Sequence, residues 1–116
     1  MANTTLALVA AVALAVPVVA GAGEDSLSDE ARLNACLQAG ATSTTFSDVS
    51  VAVSAVRTRC GRYINRVRTD RVAVATRGLE GGEAAAAKRR EIQAMDREIT
   101  LTIASYAGFN RSDLHR

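Results

Sequence analysis

Two cysteines, Cys36 and Cys60, and seven arginines between Arg57 and Arg77 are the side chains of this sequence whose types and spacing invite chemistry. Thiols can pair, exchange electrons or ligate a metal. Guanidinium groups grip anions. The cysteines lie too far apart along the chain for a redox motif, and the one histidine, His115, cannot complete a metal site with them. Both cysteines fall on apolar helix faces, so the expectation is a structural bond between Cys36 and Cys60 and no metal. It would close a loop of about 25 residues, a constraint worth roughly 3–4 kcal/mol in the chain-entropy account.

The arginines are Arg57, Arg59, Arg62, Arg66, Arg68, Arg71 and Arg77, against a single acid in that stretch, Asp70. At about 100° per residue, Arg59, Arg62, Arg66 and Arg77 share one helical arc, roughly opposite the apolar seam. That arc is a candidate anion-binding stripe. The occupants it suits are an acidic protein or an anionic envelope surface. No aromatic side chains interleave the arginines, which speaks against stacking on nucleic acid bases. The plainer alternative is a solvated helix face, since arginine outnumbers lysine thirteen to one throughout the chain and the net charge is only +2. Arg57, Arg68 and Arg71 flank the seam, with Glu91, Asp96 and Glu98 as neutralisers from a neighbouring helix. Arg89, Arg90 and Arg97 are further partners for those acids.

No catalytic constellation can be assembled. His115 is the one histidine and sits in a short polar tail, and no Ser–His–Asp triad can be assembled around it. Gly78, Gly81 and Gly82 lack the strand, lysine and hydroxyl residue of a phosphate loop and are turn residues. Asn110-Arg111-Ser112 matches a glycosylation triplet that matters only in a eukaryotic secretory pathway. No cofactor is implied, and the expectation is that the protein is not an enzyme.

The elements that must position these groups are helices. Val49, Val53, Val56, Cys60, Tyr63 and Val67 recur in steps of four and three, the period of one buried helical seam. Val49, Val51 and Val53 also alternate as a strand would, but the helical period continues for five turns after the alternation ends. A long helix over 46–77 is therefore expected, capped by Thr45 and weakened at Gly61. A short helix over 27–39 precedes it, capped by Ser26, with Leu33, Cys36 and Leu37 on one face and Gly40 as its left-handed stop. The glycine-rich stretch 78–82 breaks the chain before a second strong helix. Its seam is Ile92, Met95, Ile99, Ile103 and Tyr106, and Gly108 ends it.

Leu6 to Ala20 is an unbroken apolar run closed by Ala20-Gly21-Ala22. That is the layout of a secretory signal, in which about 7–15 apolar residues precede small residues at the cleavage site. The expectation is removal of residues 1–22. The alternative is an uncleaved membrane anchor over 6–20, shorter than the roughly 20 apolar residues that a span requires.

The expected architecture is all-α: a long antiparallel helical hairpin plus a short disulfide-tethered helix, preceded by a signal segment 1–22. Residues 23–116 form one small domain. Its core is thin, because alanine and valine supply much of the 48% hydrophobic content and aromatics only 3%. A thin core invites a homo-oligomer through unfilled apolar surface, and Leu101, off the seam of its helix, is the residue for such a contact. The layout is similar to that of many small exported bacterial proteins, a likeness of composition that transfers no residue. The expected role is a secreted or periplasmic binding module of the cell envelope, or else an assembly subunit anchored by the apolar segment.

Overall fold

The computed structural model of the protein describes residues 28–115. The expected signal segment, residues 1–22, and the expected cap at Ser26 lie outside the described residues. The described chain is all-α. Its elements are α1 (Asp29–Thr42), α2 (Val49–Arg59), α3 (Gly61–Ala75), α4 (Gly81–Tyr106) and a 3-10 turn, Arg111–His115. The alternating valines at 49–53 are helical, as the longer period predicts. No helix among the described residues is long and apolar enough to cross a membrane.

Helix α1 starts at Ser28, whose Oγ accepts a hydrogen bond from the Ala31 N–H at 3.1 Å. Asp29 and Glu30 occupy the first turn, where acid complements the helix dipole. The helix does not stop at Gly40. Among the described residues, only Gly78, Gly81 and Gly108 have positive φ. Gly40 is helical and buried because α2 passes against it: a Cβ there would lie 3.2 Å from Val56 Cγ1. Helix packing, not backbone reversal, accounts for this glycine.

Helix α2 begins later than the expected Thr45 cap. Asp48 is the cap, its carboxylate accepting from the Val51 N–H at 3.0 Å and from Ser50 Oγ at 2.7 Å. A carboxylate at this position is a stronger acceptor for the first-turn amides than a threonine hydroxyl. Phe46 remains outside the helix and packs on the core.

The single long helix expected over 46–77 is two. Cys60 leaves helical geometry at φ −100°, ψ 12°, and Gly61 starts α3. The ladder still continues across the bend: the Cys60 N–H donates to the Val56 carbonyl at 2.9 Å, and the Ile64 N–H to the Cys60 carbonyl at 3.0 Å. The buried seam is Ala52, Val56, Cys60, Ile64 and Val67, with Val53 and Tyr63 at its edge. It is rotated slightly from the expected one because α1 lies along it, and alanine fits where helices approach closely.

Helix α4 follows the turn at Gly78 and buries Met95, Ile99 and Ile103, with Ala87 and Ala104 beside them. It ends in a Schellman motif: Gly108, at φ 88°, donates to the Ser105 carbonyl at 3.2 Å, and Phe109 to the Ala104 carbonyl at 2.8 Å.

Helix α1 touches each of the other three helices. Against α2 and α3 it runs antiparallel. Gly40 meets Val56, Cys36 is bonded to Cys60 with 5.9 Å between their Cα atoms, and Glu30 pairs with Arg71. The disulfide therefore fastens α1 at the bend between α2 and α3.

Candidate anion-binding surface

Six of the seven arginines divide between two sides of α2 and α3, and Arg77 lies beyond them. Arg57, Arg68 and Arg71 face α4. Arg57 Nη2 lies 3.1 Å from Asp96 Oδ1, and Arg68 Nη2 lies 3.7 Å from the same oxygen. Arg71 is held by two carboxylates at once. Its Nε and Nη2 reach Glu30 at 2.8 and 2.7 Å, and its Nη1 and Nη2 reach Glu98 at 2.8 and 3.1 Å. One guanidinium thus ties α1, α3 and α4 together. It holds the Glu98 carboxyl below its ordinary value, and the two carboxylates push the Arg71 value up. Below this clamp is a cavity of about 50 Å³ lined by Leu33, Leu37, Met95, Ile99 and Thr102 among others. That is far smaller than the roughly 300 Å³ at which small-molecule pockets begin.

Asp96 and Glu98 therefore reach across to α2 and α3, as expected of neutralisers. Among the described residues, Glu91 makes no ion pair, and neither do Arg89, Arg90 or Arg97. The expected pairing of those three arginines with the acids of their own helix is not found among the described residues; Asp96 and Glu98 pair instead with Arg57, Arg68 and Arg71.

The other side carries Arg59, Arg62 and Arg66, all exposed. They border α1 and do not stand opposite the buried seam, because α1 occupies one flank of it and α4 the other. The Arg59 stem runs past Gly40, its Cδ 3.6 Å from where a Cβ of that residue would be. Arg62 folds over Tyr63, its Cζ 5.3 Å from the ring centroid, and Nη2 donates to the Tyr63 hydroxyl at 3.4 Å. Arg77 stands apart, in the turn after α3. Among the described residues, none of these four arginines has a carboxylate within ion-pair distance.

A residue that sequence reasoning missed joins this side. Arg32 lies on α1, one turn before Cys36, and its charge acts on the Tyr63 hydroxyl together with Arg66. The hydrogen bond from Arg62 is the leading cause, and the three guanidiniums together hold the Tyr63 phenol below its usual 10.0. The one-turn offset from Cys36 was a usable signal, once Cys36 and Cys60 are paired. The row ends in acid: Asp29 stands beside Asp70 and raises the Asp70 carboxyl above its ordinary value.

Among the described residues, no group of three His, Cys, Asp or Glu side chains could hold a metal ion. Comparison with protein-family models, with curated proteins and with solved structures finds no match to this chain.

Proposed function

We propose that the protein is a small exported, non-enzymatic binding module of the cell envelope, which takes an acidic protein or an anionic envelope surface on the row Arg59, Arg62 and Arg66. The observation that carries this reading is the division of the arginines. Arg57, Arg68 and Arg71 are neutralised between helices, whereas the row is exposed and has no carboxylate partner among the described residues. Three guanidiniums kept in water three and four residues apart present one continuous positive edge. Export is supported by the apolar N-terminal run and by the disulfide, which fits an oxidising compartment.

The test is a titration of the purified protein with an anionic polymer and with anionic vesicles at rising salt. Binding weakens steeply with salt, because exposed charges are screened over about 8 Å at physiological ionic strength. The triple change of Arg59, Arg62 and Arg66 to Gln removes it and leaves the fold intact. Salt-insensitive binding, or binding that survives the triple change, would overturn the reading.

A second reading, an assembly subunit, draws on Leu101. It is 41% exposed and lines an open groove of about 520 Å³ with Phe109 and Leu114. A molecular size that grows with concentration, and that Leu101→Ser returns to the monomer value, would favour it.

A further inference from the structure

We propose that Arg32, Arg62 and Arg66, with the Tyr63 hydroxyl, form one phosphate-binding cluster that the Cys36–Cys60 bond assembles across two helices. The inference rests on the reading of the arginine row as an anion-binding edge, and names the residues and the ligand chemistry of that edge.

The placement follows from the crosslink. Cys36 and Cys60 are joined, and α1 runs antiparallel to α3. One turn along α1 from Cys36 is Arg32, and one turn along α3 from Cys60 is Tyr63. Arg62 and Arg66 occupy successive turns on the exposed side of Tyr63. Arg62 is folded back on the Tyr63 ring and hydroxyl. Such a contact is weak and exposed, so an incoming anion displaces it readily. Asp29 and Asp70 lie at the far end of the row, so an anion is drawn toward Arg62 and away from that end.

A carboxylate offers two oxygens and one negative charge. A phosphate monoester offers three terminal oxygens and close to two charges, enough to engage several guanidinium forks and a hydroxyl donor drawn from neighbouring turns of two helices. The phosphate can be free or can be a lipid headgroup.

The experiment uses the oxidised protein. Inorganic phosphate and phosphatidylcholine vesicles containing phosphatidic acid are the two probes, followed by backbone amide shifts and by co-sedimentation. Arg32→Gln, Arg62→Gln and Arg66→Gln each weaken binding about tenfold or more, the worth of one charge-assisted hydrogen bond. Tyr63→Phe weakens it several-fold, and Arg77→Gln leaves it unchanged. Stronger binding to the vesicles than to free phosphate identifies a headgroup as the ligand, and equal binding identifies the free anion. Arg32→Lys keeps the charge but loses the fork, so binding falls between wild type and Arg32→Gln. It also serves as the second variant should Arg32→Gln unfold. If the Arg59, Arg62 and Arg66 triple change removes anion binding while Arg32→Gln and Tyr63→Phe retain it, the cluster is wrong and the arginine row stands. If neither probe binds and no other anion does, both fall.

Discussion

Gly40 of α1 and Val56 of α2 meet so closely that a methyl group on the glycine would lie 3.2 Å from one valine methyl and 3.4 Å from the other. Val56 is only 1% exposed and has little room to retreat. Gly40→Ala gains up to about 1 kcal/mol of helix propensity. Overpacking a buried contact costs about 1–3 kcal/mol. The expected net effect is a loss of about 1 kcal/mol in chemical denaturation, and a larger loss for Gly40→Val. Gly61 is the internal control. A Cβ there meets nothing within 4 Å, and its φ is not positive, so Gly61→Ala stabilises by about 0.5 kcal/mol. Equal responses at the two glycines would show that helix propensity alone governs Gly40.

Breaking the Cys36–Cys60 bond should cost about 3 kcal/mol, from release of a loop spanning a sequence separation of 24. Non-reducing peptide mapping finds the linked pair, and Cys60→Ala lowers Tm. Two freely alkylated thiols in the native protein would contradict the structure.

Arg71 is 21% exposed, but Glu30 and Glu98 are more than half exposed, so solvent discounts the clamp. Arg71→Met should destabilise by about 1 kcal/mol, chiefly by leaving two carboxylates facing one another. The pH dependence has a definite sign. The Glu98 carboxyl is lowered from 4.5 in the folded protein by Arg71. Its contribution is complete above that ordinary value and disappears as pH falls through the lowered one. Asp70 acts oppositely, because its carboxyl is raised from 3.8 by the neighbouring Asp29. Its contribution is complete below 3.8 and is lost as pH rises through the raised value. Urea titrations across the acid range should give Glu98→Gln a shallower acid loss than wild type, and Asp70→Asn a steeper one.

Arg68 carries a buried Nε with no hydrogen-bond partner among the described residues, and its ion pair with Asp96 is long at 3.7 Å. Asp96 keeps its closer partner, Arg57. Arg68→Met should therefore be neutral or stabilising by about 1 kcal/mol, because it removes an unsatisfied polar group and retains the apolar stem. A loss above about 1 kcal/mol would mean that the long pair matters more than its geometry implies.

Local pattern and thiol pairing carried the helical class, the α4 seam and the disulfide. A period of 3.6 and two cysteines on apolar faces need no knowledge of neighbours. Gly40 resisted the same reasoning, because glycine near a helix end signals a stop unless another helix is pressed against it. The caps shifted to Ser28 and Asp48 because several hydroxyls and carboxylates compete within a few residues. Glu30 and Arg32 escaped notice for a further reason. Glu30 pairs with Arg71, and Arg32 comes to the Tyr63 side of α3, only through the register of α1 against α3, which the disulfide sets and which no single segment encodes. The bend at Cys60 was half legible, since Gly61 marks the weak point without revealing that the helix turns there.

The bond between Cys36 and Cys60 also decides how the chain would carry tension. A pull on its two ends passes from α1 directly into α3 through sulfur, bypassing the residues between. The intervening segment would stay slack in a stretched molecule. At about 3.4 Å per extended residue, that withholds roughly 75 Å of length until a reductant cuts the bond. Tethered between a surface and a partner, the oxidised protein is the shorter and stiffer link.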